Sequence, residues 1–93
     1  MATGQTVVDF GAFPGVTDVT ATVTGQGSIV AGSLVEAWVR PEATALHSAD
    51  EHWVEGLEVS AGNISAGTGF TIYARTTDNT RRYGTFTVAW AWV

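Results

Sequence analysis

Apolar and polar positions alternate with a period of two along most of this chain, and the alternation is clearest near its C-terminal end. Phe70, Ile72 and Ala74 alternate with Thr71, Tyr73 and Arg75, and further on Phe86, Val88, Trp90 and Trp92 alternate with Thr85, Thr87, Ala89 and Ala91. Alternation of this length in β-branched and aromatic residues predicts half-buried strands. Between the two runs lies TDNTRRYG, whose Asp78, Asn79 and Gly84 accept turn conformations. The expectation is a C-terminal hairpin, Gly69 to Val93, with one face on the core.

The same period runs upstream. Val19, Ala21 and Val23 oppose Asp18, Thr20, Thr22 and Thr24, which predicts a strand within Val16 to Thr24. In Ser28 to Arg40, Ile29, Ala31, Val35, Ala37 and Val39 share one face, while Leu34, Glu36 and Trp38 take the other. Gly32-Ser33 marks a bulge or a break there. Pro41 to Glu51 is the least strand-like stretch, with at most one helical turn expected over Glu42 to Leu46. Alternation returns with Trp53, Leu57 and Val59 opposite Glu58, although Glu55 falls on the apolar parity. In residues 1–15, Val7, Val8, Phe10 and Phe13 are interrupted by Gly11, Pro14 and Gly15. They read as an N-terminal edge strand followed by a turn, or as an extended arm that docks on a neighbouring subunit.

A fixed offset of 35 residues aligns Gly27 to Ser33 with Gly62 to Thr68, then Val35 with Phe70, Ala37 with Ile72, Trp38 with Tyr73 and Arg40 with Arg75. The offset is odd, and the inward parity switches from odd to even numbers accordingly. The expected fold is therefore all-β: a small antiparallel β-sandwich or jelly-roll-like barrel with two related halves. Residues 16–93 form its single β domain and residues 1–15 its N-terminal strand or arm.

Composition narrows the chemistry. Ninety-three residues make one modest core, and no apolar run approaches the length of a membrane helix. The start, MATGQTVVDF, lacks the basic and apolar regions of a secretory leader. There is no cysteine, so neither a disulfide framework nor a thiolate metal site is available. The net charge is −5 and every cation is an arginine (Arg40, Arg75, Arg81, Arg82). That balance argues against nucleic-acid binding and suits forked contacts to carboxylates. No membrane and no nucleic-acid partner is expected.

Chemistry-bearing constellations are few. His47-Ser48-Ala49-Asp50-Glu51-His52 holds two imidazoles within six residues, but the spacing matches no metal-ligand motif. The alternative is a loop in which Asp50 caps a turn and His52 packs beside Trp53. No paired catalytic carboxylates, Gly-x-Ser-x-Gly elbow or phosphate loop is present. The chain is accordingly read as a non-enzyme without catalytic residues, metal ligands or cofactor.

Aromatic and apolar positions point to contacts instead. Trp38 and Tyr73 lie on the faces opposite the core stripes, where they can stack on sugars or anchor an interface. The last strand is apolar on both faces, with Trp90 and Trp92 on one and Ala89, Ala91 and Val93 on the other. A subunit contact explains this, and so does a central strand beneath the histidine loop. The expected contact residues are Phe10, Phe13, Trp38, Tyr73, Ala89, Trp90, Ala91, Trp92 and Val93, in a homo-oligomer with a trimer as the expected order.

The segments DFGAFPG, GSLVEAWVRPEAT, HSADEHWVE, AGNISAGTGFTIYAR and TFTVAWAWV resemble a family of small proteins encoded in tailed-bacteriophage genomes. The resemblance covers nearly the whole chain and names no reaction. It implies a virion structural protein, first a capsid decoration or cement protein that stabilises the head by binding the major capsid protein. A tail or baseplate component is the near alternative. A carbohydrate-binding module using Trp38, Tyr73 or Trp53 is the alternative from another class.

Overall fold

The computed structural model describes residues 2–44, 47–54 and 56–93. Six strands and one short helix follow in order: β1 (Ala2–Asp9), β2 (Asp18–Val23), β3 (Val35–Val39), α1 (Ala49–Val54), β4 (Leu57–Ser65), β5 (Gly69–Thr76) and β6 (Thr85–Trp92). They form two three-stranded antiparallel sheets, β1-β6-β3 and β2-β5-β4. The sheets pack face to face as a sandwich, with β1 against β2 and β3 against β4 along its open sides. It is not closed into a barrel.

The expected hairpin is replaced by a crossing. β5 and β6 do not pair; each is the central strand of its own sheet. The tight turn belongs to β4 and β5, where Gly67 takes a φ of 75° and Thr68 N–H donates to Ser65 C=O at 3.0 Å. The connection over 77–84 is long enough to cross the roughly 10 Å between packed sheets. Hydrogen bonds to the first loop hold it there: Val16 and Arg82 exchange two at 3.0 and 2.9 Å, and Gly84 N–H donates to Gly11 C=O at 2.8 Å.

The alternation places the core correctly even so. Phe70, Ile72 and Ala74 of β5 and Phe86, Val88 and Trp90 of β6 face one another and are buried, joined by Val8, Phe10, Val23 and Ile29. The rings of Phe70 and Trp90 meet edge to face across the interior at 5.3 Å. Trp90 N–H donates to Thr6 Oγ1 at 3.1 Å and Trp92 N–H to Gln26 Oε1 at 2.9 Å, so each indole keeps its polar atom satisfied. Gly69 is required where β5 begins, because a side chain there would run into the Val23 carbonyl.

Other expectations shift. Ser28 to Arg40 yields only the five residues of β3, and Ile29 enters the core from a loop while Ala31 is exposed. The helical turn expected over Glu42 to Leu46 is absent from Glu42–Thr44, and Ala45 and Leu46 lie outside the described residues. Helix forms instead at Ala49–Val54, so Trp53 is helical and 78% exposed rather than inward on a strand. Glu55 also lies outside the described residues. The 35-residue offset relates β3, an edge strand of one sheet, to β5, the centre of the other.

Thr76 stands on the inward parity of β5, and its buried Oγ1 has no hydrogen-bond partner among the described residues. Replacing that hydroxyl by a methyl group removes a desolvated polar atom without changing shape. Thr76→Val is expected to raise stability by about 1 kcal/mol. Urea unfolding checks this, and a lowered midpoint would contradict the assignment.

Candidate functional site

The sandwich has two unlike ends. At one end the chain passes through the connections 10–17, 40–56 and 77–84; at the other lie 24–34, the β4–β5 turn and Val93. The long connections carry exposed Phe13, Tyr83, Trp53 and Val54, at 78%, 42%, 78% and 72%. Phe13 meets Tyr83 edge to face at 5.4 Å. The shorter end exposes Leu34 and Val93, joined by backbone hydrogen bonds of 3.1 and 2.9 Å.

The histidine segment builds the long-loop end. Ser48-Ala49-Asp50-Glu51 is a capping box: Ser48 Oγ accepts from Glu51 N–H at 3.3 Å and Glu51 Oε1 accepts from Ser48 N–H at 3.0 Å. The S-x-x-E signature starts α1 after Ser48 and turns His52 inward, where it is 2% exposed. Its Nδ1–H donates to Ser48 C=O at 2.7 Å and its Nε2 accepts the Thr87 N–H at 2.8 Å. That Thr87 N–H needs a partner because β3 leaves β6 after Val39. Arg40 N–H still donates to Thr87 C=O at 3.0 Å, but Arg40 C=O turns away to accept from Glu42 N–H at 2.7 Å. The imidazole thus stands in for the missing strand carbonyl, as the neutral Nδ1–H tautomer. With both nitrogens engaged it has no lone pair for a metal.

His47 is equally internal. Its ring stacks on Phe86 at 4.2 Å and 15°, its Nε2 lies 2.6 Å from Tyr83 C=O, and its Nδ1 lies 2.8 Å from Glu51 Oε2. The Ser48 backbone N–H and then the His47 ring hold the Glu51 carboxyl below the usual carboxylate range. Among the described residues no three His, Asp or Glu side chains gather as a metal site. No helix of the described residues is long and apolar enough to cross a membrane.

In the third connection, Asp78 Oδ1 accepts from Thr80 Oγ1 at 2.7 Å and Thr80 N–H at 3.1 Å, and its Oδ2 lies 3.4 Å from Arg82 Nη2. The Thr80 hydroxyl, the Thr80 N–H and Arg82 lower its pKa from 3.8 to about 2. A lowered folded-state pKa stabilises the loop above the unfolded value, and this contribution is lost as pH falls from 3.8 towards about 2. Asp78→Asn should therefore flatten the loss of stability across that interval relative to the unmodified chain. Urea midpoints through the interval test this; parallel profiles would show that Asp78 contributes nothing.

The expected contact residues do not converge. Phe10 and Trp90, at 1% and 7% exposure, belong to the chain's own core. Ala89 is covered at the centre of the outer face of β1-β6-β3, in register with Trp38 and Gln5, and Ala91 and Trp92 are half-buried. Because β6 is central and its start lies under the histidine loop, its two-faced apolar pattern is met largely within one chain. Phe13 sits at the long-loop end and Val93 at the other. Trp38 and Tyr73 lie on opposite outer faces, 46% and 42% exposed. Tyr83 and Val54 sit on no strand parity and give no signal in the sequence, whereas Leu34, which shares the parity of Trp38, lies just before β3 at the shorter end. The chain matches no protein-family model, no curated protein and no solved structure.

Proposed function

We propose that the protein is a bacteriophage virion structural protein that decorates the head, seating its long-loop end on the major capsid protein. The observation that carries this reading is the concentration of exposed Phe13, Tyr83, Trp53 and Val54 at one end of the sandwich. These groups stand on braced loops, tied by the Val16–Arg82 pair, the Ser48–Glu51 box and the His52–Thr87 bond. Large apolar groups held rigidly in solvent suit an interface, since little side-chain or loop entropy remains to be lost on docking. The phage-like sequence segments supply the biological setting. A homo-oligomer is part of the same proposal, with a trimer as the expected order, in contact through the exposed Leu34 and Val93 at the other end.

Quantitative mass spectrometry of purified particles tests the reading. A head decoration protein is present in a fixed ratio to the major capsid protein and stays with heads after tails are detached. Absence from particles, or segregation with tails, overturns it. In particles the double variant Phe13→Ser/Trp53→Ser should lower occupancy while leaving the isolated fold intact.

A further inference from the structure

The outer face of sheet β2-β5-β4 carries a feature that neither the core nor the loops require. Two rows of side chains cross the strands in register: Thr20, Tyr73 and Ser60 in one, Asp18, Arg75 and Glu58 in the next. Together they line a recess of about 330 Å³. That is the lower end of the range for small-molecule sites. Tyr73 is 42% exposed, and its neighbours across the strands are small hydroxyl residues that leave the ring uncovered. Arg75 Nη2 donates to Glu58 Oε1 at 2.9 Å, yet the Arg75 side chain stays 66% exposed.

We propose that this recess binds a neutral saccharide, with Tyr73 stacked on the C–H face of a sugar ring and the flanking groups taking its hydroxyls. Three observations select that ligand class. In the Asp18–Arg75–Glu58 row a carboxylate stands on each side of a guanidinium, so a free anion meets two carboxylates and a free cation meets Arg75. A neutral polyol uses both kinds of group, donating to Asp18 and accepting from Arg75. Thr20 and Ser60 offer further hydroxyls beside the ring. The backbone of β5 is already paired on both sides, so an extended peptide has no strand edge to join there. Trp38 on the other sheet lacks this setting: it stands in register with Ala89 and Gln5, and the next row is Glu36, Ala91 and Thr3.

The recess is open to solvent, so affinity in the millimolar range is expected for a short oligosaccharide, on the order of 1 mM. The test is an NMR titration of the ¹⁵N-labelled full chain with maltohexaose, cellohexaose, laminarihexaose and chitohexaose, each to roughly 10 mM. The expected result is that at least one of them shifts the amides of Thr20, Ser60, Tyr73 and Arg75 and leaves those of Trp38 and Trp53 in place. Tyr73→Thr, which keeps a strand-forming residue and removes the ring, should weaken that binding about tenfold. Trp38→Ala should leave it unchanged. Silence from all four sugars overturns the proposal, as do shifts confined to Trp38 or Trp53; the map on the unmodified chain decides even if a variant fails to fold. The outcome is independent of whether the protein is found in particles.

Discussion

Phe86→Ala is expected to destabilise the fold by about 3–5 kcal/mol, the range for truncating a fully buried aromatic ring. Phe86 is 0% exposed and stands on the central strand, beside Val8 of β1 in the sheet register. Its ring contacts Phe10 edge to face at 5.7 Å, His52 at 5.1 Å and His47 in a stack at 4.2 Å. Those partners come from the 10–17 and 40–56 connections, so one truncation loosens two connections as well as the interior. Collapse into the gap is restricted, because His47 and His52 are held by hydrogen bonds and cannot follow the missing ring without breaking them. For a domain with total stability of about 5–10 kcal/mol, the variant would be partly unfolded at 37 °C. Urea unfolding followed by tryptophan fluorescence reads the loss, and a cost under about 1 kcal/mol would show that the ring is not the junction of these loops.

His52→Phe is expected to cost about 1–3 kcal/mol although it keeps a ring of similar shape. The substitution leaves the Thr87 N–H without its acceptor and removes the donor to Ser48 C=O. A buried polar group deprived of its partner costs about 1–3 kcal/mol, and this falls on the Thr87 N–H, since Ser48 C=O keeps the backbone N–H of residue 52 at 3.3 Å. Hydrogen exchange separates this from a packing defect: the Thr87 amide should exchange far faster in the variant, while amides in mid-β5 keep their protection relative to global unfolding. Unchanged protection at Thr87 would mean that water or a neighbouring group replaces the imidazole.

Much of the sandwich is visible in the alternation of single residues, because period two reports only which side of a strand is buried. Val19, Ala21 and Val23, Phe70, Ile72 and Ala74, and Phe86, Val88 and Trp90 all face inward as their spacing requires. Pairing is a different matter. Alternation in β5 and β6 is the same whether they lie side by side or face to face, and only the length of the 77–84 connection against the three-residue β4–β5 turn separates the two cases. Helix α1 was legible in Ser48 and Glu51, whose spacing is a capping box, but six residues give no helical periodicity to draw attention to it. The role of His52 was not legible. It depends on where β3 departs from β6, a property of two strands remote in sequence. The long-loop end is hidden for a related reason: Phe13, Trp53 and Tyr83 are separated by tens of residues and share only the side of the sandwich on which their connections fall.

The pairing of β1 with β6, which sets Ala2 opposite Trp92 and Asp9 opposite Thr85, joins the first strand to the last. During synthesis β1 therefore lacks its strand partner until β6 has been made. All the strands of sheet β2-β5-β4 are synthesised before then, since they precede Thr85. The order of translation thus divides the molecule into a half that can assemble early and a half that closes in one late event.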